Sequence, residues 1–303
     1  MLADRNGVPF PPIRRLGRQD LKHCVALSVD RGWSPEEAKW ALLLEEAEAF
    51  GVDAPDGGLA GSVVLARYDP GLASVGMMLV AGRYGRRGLG RALMTHLLAQ
   101  AENATVTLFA TDAGKPLYAK LGFRVVRRSA AFVGGFRQSA AANGKRGGSR
   151  PVTEADMAAI LEFDKAAFGA DRGYLLRRLP GFADRLRVIE TDDATAEAAG
   201  AGGGASISGI SGYAAAWRNG PITVIGPLIA ASGADARRLI TDLAAEVRGQ
   251  VRIDLDPDRP ELPEWLLNRG LQPASRTAVM AYGDWKPRGD PSRLYAPISV
   301  ALA

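Results

Sequence analysis

The second half of this chain repeats the first. The segment ALMTHLLAQAE at residues 92–102 falls on RLITDLAAEVR at 238–248, and YAKLGF at 118–123 falls on LLNRGL at 266–271, at offsets of 146 and 148 residues. So steady an offset leaves room for few gaps. It means one fold built twice in tandem. The 303 residues allow about 150 for each copy, the size of an ordinary domain. Strand-like and helix-like stretches alternate in both copies, so the expected class is α/β.

In the first copy, AGSVVLARY (60–68) and LASVGMMLV (72–80) read as strands around the turn Asp69-Pro70-Gly71. A helix runs to about Glu102, a β-branched strand covers Thr105–Ala110, and a helix over 113–121 closes on Gly122 as a left-handed cap. Short strands are expected over 123–128 and 131–134. Upstream, a helix covers 19–30. A second begins with Ser34 as N-cap, Pro35 at its first position and Glu37 at its third, and runs to about Phe50. The second copy reads as helices over 153–167 and 175–182, strands over 185–190, 212–217 and 222–230, a helix over 234–247, a strand over 251–255 and a helix over 261–269 capped by Gly270. Residues 193–209 are low in complexity and read as a mobile loop. The expected division is a first domain over 1–136, a linker over 137–149, a second domain over 150–285 and a tail over 286–303.

Composition removes several chemistries. The longest apolar run, Leu72–Gly82, is about half a membrane span, and the first residues hold no apolar signal core. A cytoplasmic protein that meets no membrane is expected. Two histidines and the single Cys24 make no His/Cys metal site, so no metal is expected. His23 and Cys24 are adjacent, which on a helix leaves one packed and one exposed. Gly209-Ile210-Ser211-Gly212-Tyr213 lacks the second glycine of a nucleophile elbow. The net charge is +5, but the basic residues are spread and carry no aromatic RNA signature, so no nucleic-acid partner is expected.

What remains is YGRRGLGRAL (84–93), three glycines and three arginines between a strand and a helix. Unpaired N–H groups at a helix N-terminus, with no Cβ to hold a ligand off, suit phosphate. The spacing is neither G-x-G-x-x-G nor a P-loop. In the second copy the turn reads Gly233-Ala234-Asp235-Ala236-Arg237, and Leu266 stands where the first copy has Tyr118. Asp235 would repel a phosphate, so any chemistry belongs to the first half.

Three features in this order resemble the GNAT superfamily of N-acetyltransferases: the strand Val75–Val80 followed by Arg87-Gly88-Leu89-Gly90, the helix RALMTHLLAQA, and LYAKLGF at 117–123. RGWSPEEAKW (31–40), LFATDAGKPLYAKLGFR (108–124) and FGADR (168–172) look like a bacterial group with two fused GNAT-type domains, the second degenerate. One departure is that Gly85 stands where the family has Gln or Arg, with Arg86 following it. The resemblance implies two tandem domains, each a twisted mixed β-sheet flanked by helices. It also implies acetyl-CoA as co-substrate, held by Arg83, Gly85, Arg86, Arg87, Gly88, Leu89, Gly90 and Arg91, with the free edge of Met78, Leu79 and Val80 along its arm. Tyr118 matches the family's general acid. Glu45 and Glu46 are candidates for the base, or form a solvated acidic face. Trp33 and Trp40, seven residues apart, line the acceptor pocket or pack in the core. The implied reaction is acetyl transfer to a primary amine of a small molecule by direct attack in a ternary complex. The alternative is a non-catalytic acyl-CoA sensor. A monomer or weak homodimer is expected.

Overall fold

The computed structural model describes residues 10–69, 71–138, 148–191, 209–257 and 261–302. The first copy runs β1 (Arg14–Arg15), α1 (Leu21–Asp30), α2 (Glu37–Glu46), β2 (Glu48–Asp53), β3 (Leu59–Asp69), β4 (Leu72–Val80), α3 (Leu89–Gln100), β5 (Thr105–Ala110), α4 (Lys115–Lys120) and β6 (Arg124–Gly135). The second runs β7 (Arg150–Pro151), α5 (Met157–Phe168), α6 (Gly173–Leu176), α7 (Leu179–Phe182), β8 (Arg185–Glu190), β9 (Ile210–Asn219), β10 (Ile222–Ala230), α8 (Gly233–Ala244), β11 (Gln250–Leu255), α9 (Glu261–Asn268), β12 (Gln272–Tyr282) and β13 (Leu294–Ala296). The chain is a mixed α/β protein.

The elements form two compact units: Met1–Arg127 with Thr277–Trp285 and Val300–Ala303, and Arg128–Arg276 with Lys286–Ser299. These do not follow the linear division at 136 and 150. In the first unit the strand order is β1-β2-β3-β4-β5-β12, and Ala278–Tyr282 of the second copy pairs antiparallel with Val106–Ala110. In the second unit the order is β6-β11-β10-β9-β8-β7, and Ala130–Gly135 of the first copy pairs antiparallel with Gln250–Leu255. Each copy's last long strand thus completes the other copy's unit. An apolar strand edge left bare would invite pairing with another chain, and the exchange covers both edges.

Local physics explains why the copies match. A parallel pair needs a crossover, and α3 and α8 supply it for β4/β5 and β10/β11. Leu89, Leu93, Met94 and Leu97 are the buried stripe of α3; Ala236, Leu239, Ile240 and Leu243 are that of α8. Both copies begin with the same ionic corner. The Arg14 guanidinium donates to Asp20 (2.8 Å) and Asp53 (2.7 Å), and Arg150 donates to Asp156 (2.7 Å) and Glu190 (2.7 Å). The same aspartates accept the backbone N–H of Gly17 and Thr153. Those bonds, led by the arginines, hold the Asp20 and Asp156 carboxyls below the usual aspartate range.

Several expectations give way. Ser34 does not cap α2, which starts at Glu37 with Glu36 left-handed at φ 49°. The connection is held by the end of α1: Trp33 N–H donates to the Ser28 carbonyl (3.0 Å) and Trp40 Nε1–H to Ser28 Oγ (2.8 Å). Residues 48–50 leave the helix because Glu48–Asp53 pairs with β3 on one side and Arg14–Arg15 on the other. The helix expected over 175–182 is two single turns, and the strands expected over 123–128 and 131–134 are one, β6. Residues 286–302 of the expected tail are built into the fold: β13 pairs with β10, and Ala301 and Leu302 are buried. The centre of the linker (139–147) and most of the low-complexity loop (193–208) lie outside the described residues. Cys24 is packed and His23 exposed, as the helical spacing requires.

Candidate functional site

The site begins as a fork between two parallel strands. Leu72–Val75 of β4 pairs with Thr105–Leu108 of β5, and the pairing stops there. Beyond the fork β4 stays on β3, with Leu79 opposite Ser62 and Val80 opposite Gly61, while its register shifts in a bulge. Met77 sits at φ 48° inside that bulge, and Ser62 Oγ–H donates to its carbonyl (2.9 Å). The edge of β4 from Gly76 to Val80 is therefore no longer paired with β5. Met78, Leu79 and Val80, singled out from the sequence, lie on that edge.

The glycine turn stands at the open end of the fork. Arg86 (φ 60°) and Gly88 (φ 80°) are left-handed on either side of Arg87, an alternation that gathers successive backbone N–H groups into a concave, anion-accepting surface. Gly88 is the N-cap of α3 and no side chain caps the helix, so the first-turn N–H groups of Leu89, Gly90 and Arg91 keep the positive end of the helix dipole open. The turn is anchored by two carboxylates. Asp30 accepts from Gly82 N–H (2.7 Å), and Asp56 accepts from Arg83 (3.0 Å) and from the Tyr84 hydroxyl (2.6 Å). Arg83 is thus committed to Asp56. Arg87 donates to the Arg83 carbonyl (2.8 Å) and lies over the Tyr84 ring. Arg86 and Arg91 are exposed. Gly85 is unremarkable, with φ −59° and ordinary clearance for a Cβ.

Gly90 joins three elements. A Cβ there would lie 2.8 Å from Met78 Cε and 3.3 Å from Leu117 Cδ2, so β4, α3 and α4 meet at this point. Next to Leu117 stands Tyr118, whose ring fits only because Gly114 has no side chain; a Cβ there would sit 2.8 Å from Tyr118 Cε2. The ring also packs on Phe123 (5.9 Å between centroids). Burial pushes the Tyr118 phenol up to about 12, so it keeps its proton at neutral pH.

The remaining candidates lie on α2 and in the loop before it. Glu45 is ion-paired with Arg18 on an exposed face. Glu46 follows it at the end of α2. Trp40 is fully buried with its N–H satisfied by Ser28, while Trp33 lies in the loop before α2, 40% exposed. The two tryptophans do not share a helix face. Sequence reading missed Ser62, Asp56, Gly76 and Gly114. Nothing local marks them, because each matters through a neighbour distant in sequence or through one ring contact.

The second unit has the same fork, filled. Ile222–Val224 of β10 pairs with Gln250–Arg252 of β11 and the pairing ends. Leu228 and Ile229 then pair with Ala296 and Leu294 of β13, which also lies against β11. Tyr295 and Ala296 are buried in that unit's core with Leu228, Leu255 and Leu266. At the α8 terminus Ser232 Oγ accepts the Asp235 N–H (3.1 Å), so the helix end is capped and carries an acid.

Family comparison matches the chain twice. The description "Acetyltransferase (GNAT) domain" fits residues 33–137 and again residues 160–296, together most of the chain. The chain belongs to the GNAT acetyltransferases. It carries two GNAT domains in tandem and is an acyltransferase. YitH of Bacillus subtilis strain 168, described as an uncharacterized N-acetyltransferase, is 27% identical over 95% of this chain and 97% of its own length. A crystal structure from Pyrococcus horikoshii superposes with a TM-score of 0.79 at 21% identity, covering 96% of this chain and 95% of that one. A tandem GNAT protein from the clavulanic acid biosynthesis pathway superposes with a TM-score of 0.62 at 15% identity, covering 91% and 99%. At such identities the superpositions speak for the GNAT fold alone. Enzymes of this fold generally take acetyl-CoA as co-substrate. Among the described residues no helix is long and apolar enough to cross a membrane.

Proposed function

We propose that the first unit transfers an acetyl group from acetyl-CoA to a primary amine of a small molecule, and that the second unit holds no cofactor. The observation that carries this reading is the contrast between two equivalent forks. In one, Met78–Val80 of β4 has no strand partner on the β5 side among the described residues and the helix is uncapped; the other is filled by β13 and capped by Ser232.

The residues fit the group. The concave turn at Arg86–Gly88 and the first N–H groups of α3 suit a pyrophosphate, with Arg86 and Arg91 as the side-chain charges and Arg83 as a structural anchor. The edge of Met78–Val80 offers strand-like hydrogen bonds to the amides of the pantetheine arm. The neutral amine attacks the thioester carbon, the C–S bond breaks, and the departing sulfur takes the Tyr118 proton; the proton the amine loses passes to water, and water returns one to the Tyr118 phenolate. Tyr118 is protonated at neutral pH, but its raised pKa makes proton transfer to a thiolate uphill, so it acts as general acid by being held close to the departing sulfur. Glu45, engaged by Arg18, is not assigned as the base. Membership in an enzyme family argues against the sensor alternative.

The test is calorimetry with acetyl-CoA on the wild type and on Gly88→Glu. Binding that is lost in the variant supports the reading, and a screen of small amines with Tyr118→Phe as control then follows. No binding to the wild type would sink it.

A further inference from the structure

The fork of the first unit has an open end and a closed end. The turn after Val80 and the start of α3 stand at the open end; Val75 and Leu108, the last parallel pair, stand at the closed one. Gly76 is the first residue past that pair, four residues from Val80, or about 13 Å along a strand. A pantetheine arm whose phosphates lie at α3 delivers its acyl group toward Gly76.

Ala301 already stands there. A Cβ built on Gly76 would lie 2.4 Å from the Ala301 carbonyl oxygen and 2.9 Å from its Cα and Cβ, so the two backbones touch. Ala301 is 4% exposed and Leu302 1%. The second unit supplies an internal comparison. Gly226 occupies the same fifth position in β10 that Gly76 has in β4, and a Cβ on it would lie 2.2 Å from the Pro297 carbonyl oxygen. One segment of chain therefore meets the glycine of both forks. In the second unit its residues 294–296 also run along the fork as β13.

We propose that Val300–Leu302 is the back wall of the acyl pocket in the first unit, and that Ala301 is a specificity-determining residue that restricts the acyl group to a short chain. This rests on the acetyl-CoA reading above. A longer acyl group must displace a backbone wedged against β4, which cannot yield as a flexible side chain would. Each methylene that a packed pocket refuses discriminates by roughly 10–200-fold.

The experiment is calorimetry of coenzyme A, acetyl-CoA and butyryl-CoA with the wild type, Ala301→Val and Leu302→Ala, each checked by thermal melting. The wild type is expected to bind butyryl-CoA about tenfold or more weakly than acetyl-CoA. Ala301→Val leaves coenzyme A within about twofold and weakens acetyl-CoA about tenfold. Leu302→Ala narrows the butyryl penalty, and it carries the test if the valine variant does not fold. Equal affinity of the wild type for acetyl- and butyryl-CoA overturns the proposal, as does a loss in Ala301→Val that is the same for coenzyme A and acetyl-CoA. Failure of the wild type to bind coenzyme A overturns the functional reading itself, a separate result.

Discussion

Two glycines of one turn separate sharply at the level of single residues. Gly88 is held at φ 80°, where a side chain is strained by about 1–2 kcal/mol, whereas Gly85 sits at φ −59° with room for a methyl. Gly85→Ala is expected to bind acetyl-CoA like the wild type, and Gly88→Ala to bind it several-fold more weakly; calorimetry decides. Tyr118→Phe is expected to lower kcat by about 100-fold or more with little change in the KM for acetyl-CoA. With its phenol pushed up to about 12, ionisation of Tyr118 gives no alkaline loss of kcat below about pH 11. A pH–rate profile showing a limb near pH 8 that vanishes in Tyr118→Phe would contradict this. The left-handed turn at Gly88 and the helix that carries Tyr118 were legible because their neighbours in sequence announce them. Gly114 was not, since its importance is a 2.8 Å clearance for the Tyr118 ring.

Among the elements, the two ionic corners are the clearest structural repeat. Each ties the first short strand of a copy to the turn before its first long helix, and to the end of the strand beside it. Asp156→Asn is expected to destabilise the fold by about 1–3 kcal/mol, because Arg150 and the Thr153 N–H lose a charged acceptor. The folded pKa of Asp156 is depressed. Its contribution is therefore complete above the ordinary aspartate value near pH 4 and is lost as the pH falls below it. Thermal melts of wild type and variant from pH 7 to pH 3 should converge toward the acid end. Most helices and long strands were readable from their apolar periods. The start of α2 was not, because Ser28, on another helix, holds Trp33 and Trp40 on either side of the expected cap.

For the whole molecule, the exchanged strands make the copies inseparable. A chain cut after residue 149 keeps β6 but loses β12, baring the edge of β5 at Val106–Ala110 and removing Tyr282 from its place beside Phe123. It is expected to aggregate or remain unfolded rather than give half an enzyme. A cooperative melt of that fragment as a soluble monomer would refute this. The filled fork of the second unit predicts one acetyl-CoA per chain by calorimetry, not two.

The sequence alone determined what is local: the tandem repeat, the succession of strands and helices, the basic glycine turn of the first copy, and the different turn that replaces it in the second. Those follow from side-chain periodicity and from glycine's backbone freedom, which a short window contains. Tertiary structure decided which copy's strand completes which sheet, where β4 leaves β5, and that residues 294–302 fill one fork and close the end of the other. Strand partners and register are settled by contacts between residues far apart in the chain, and no local window holds them.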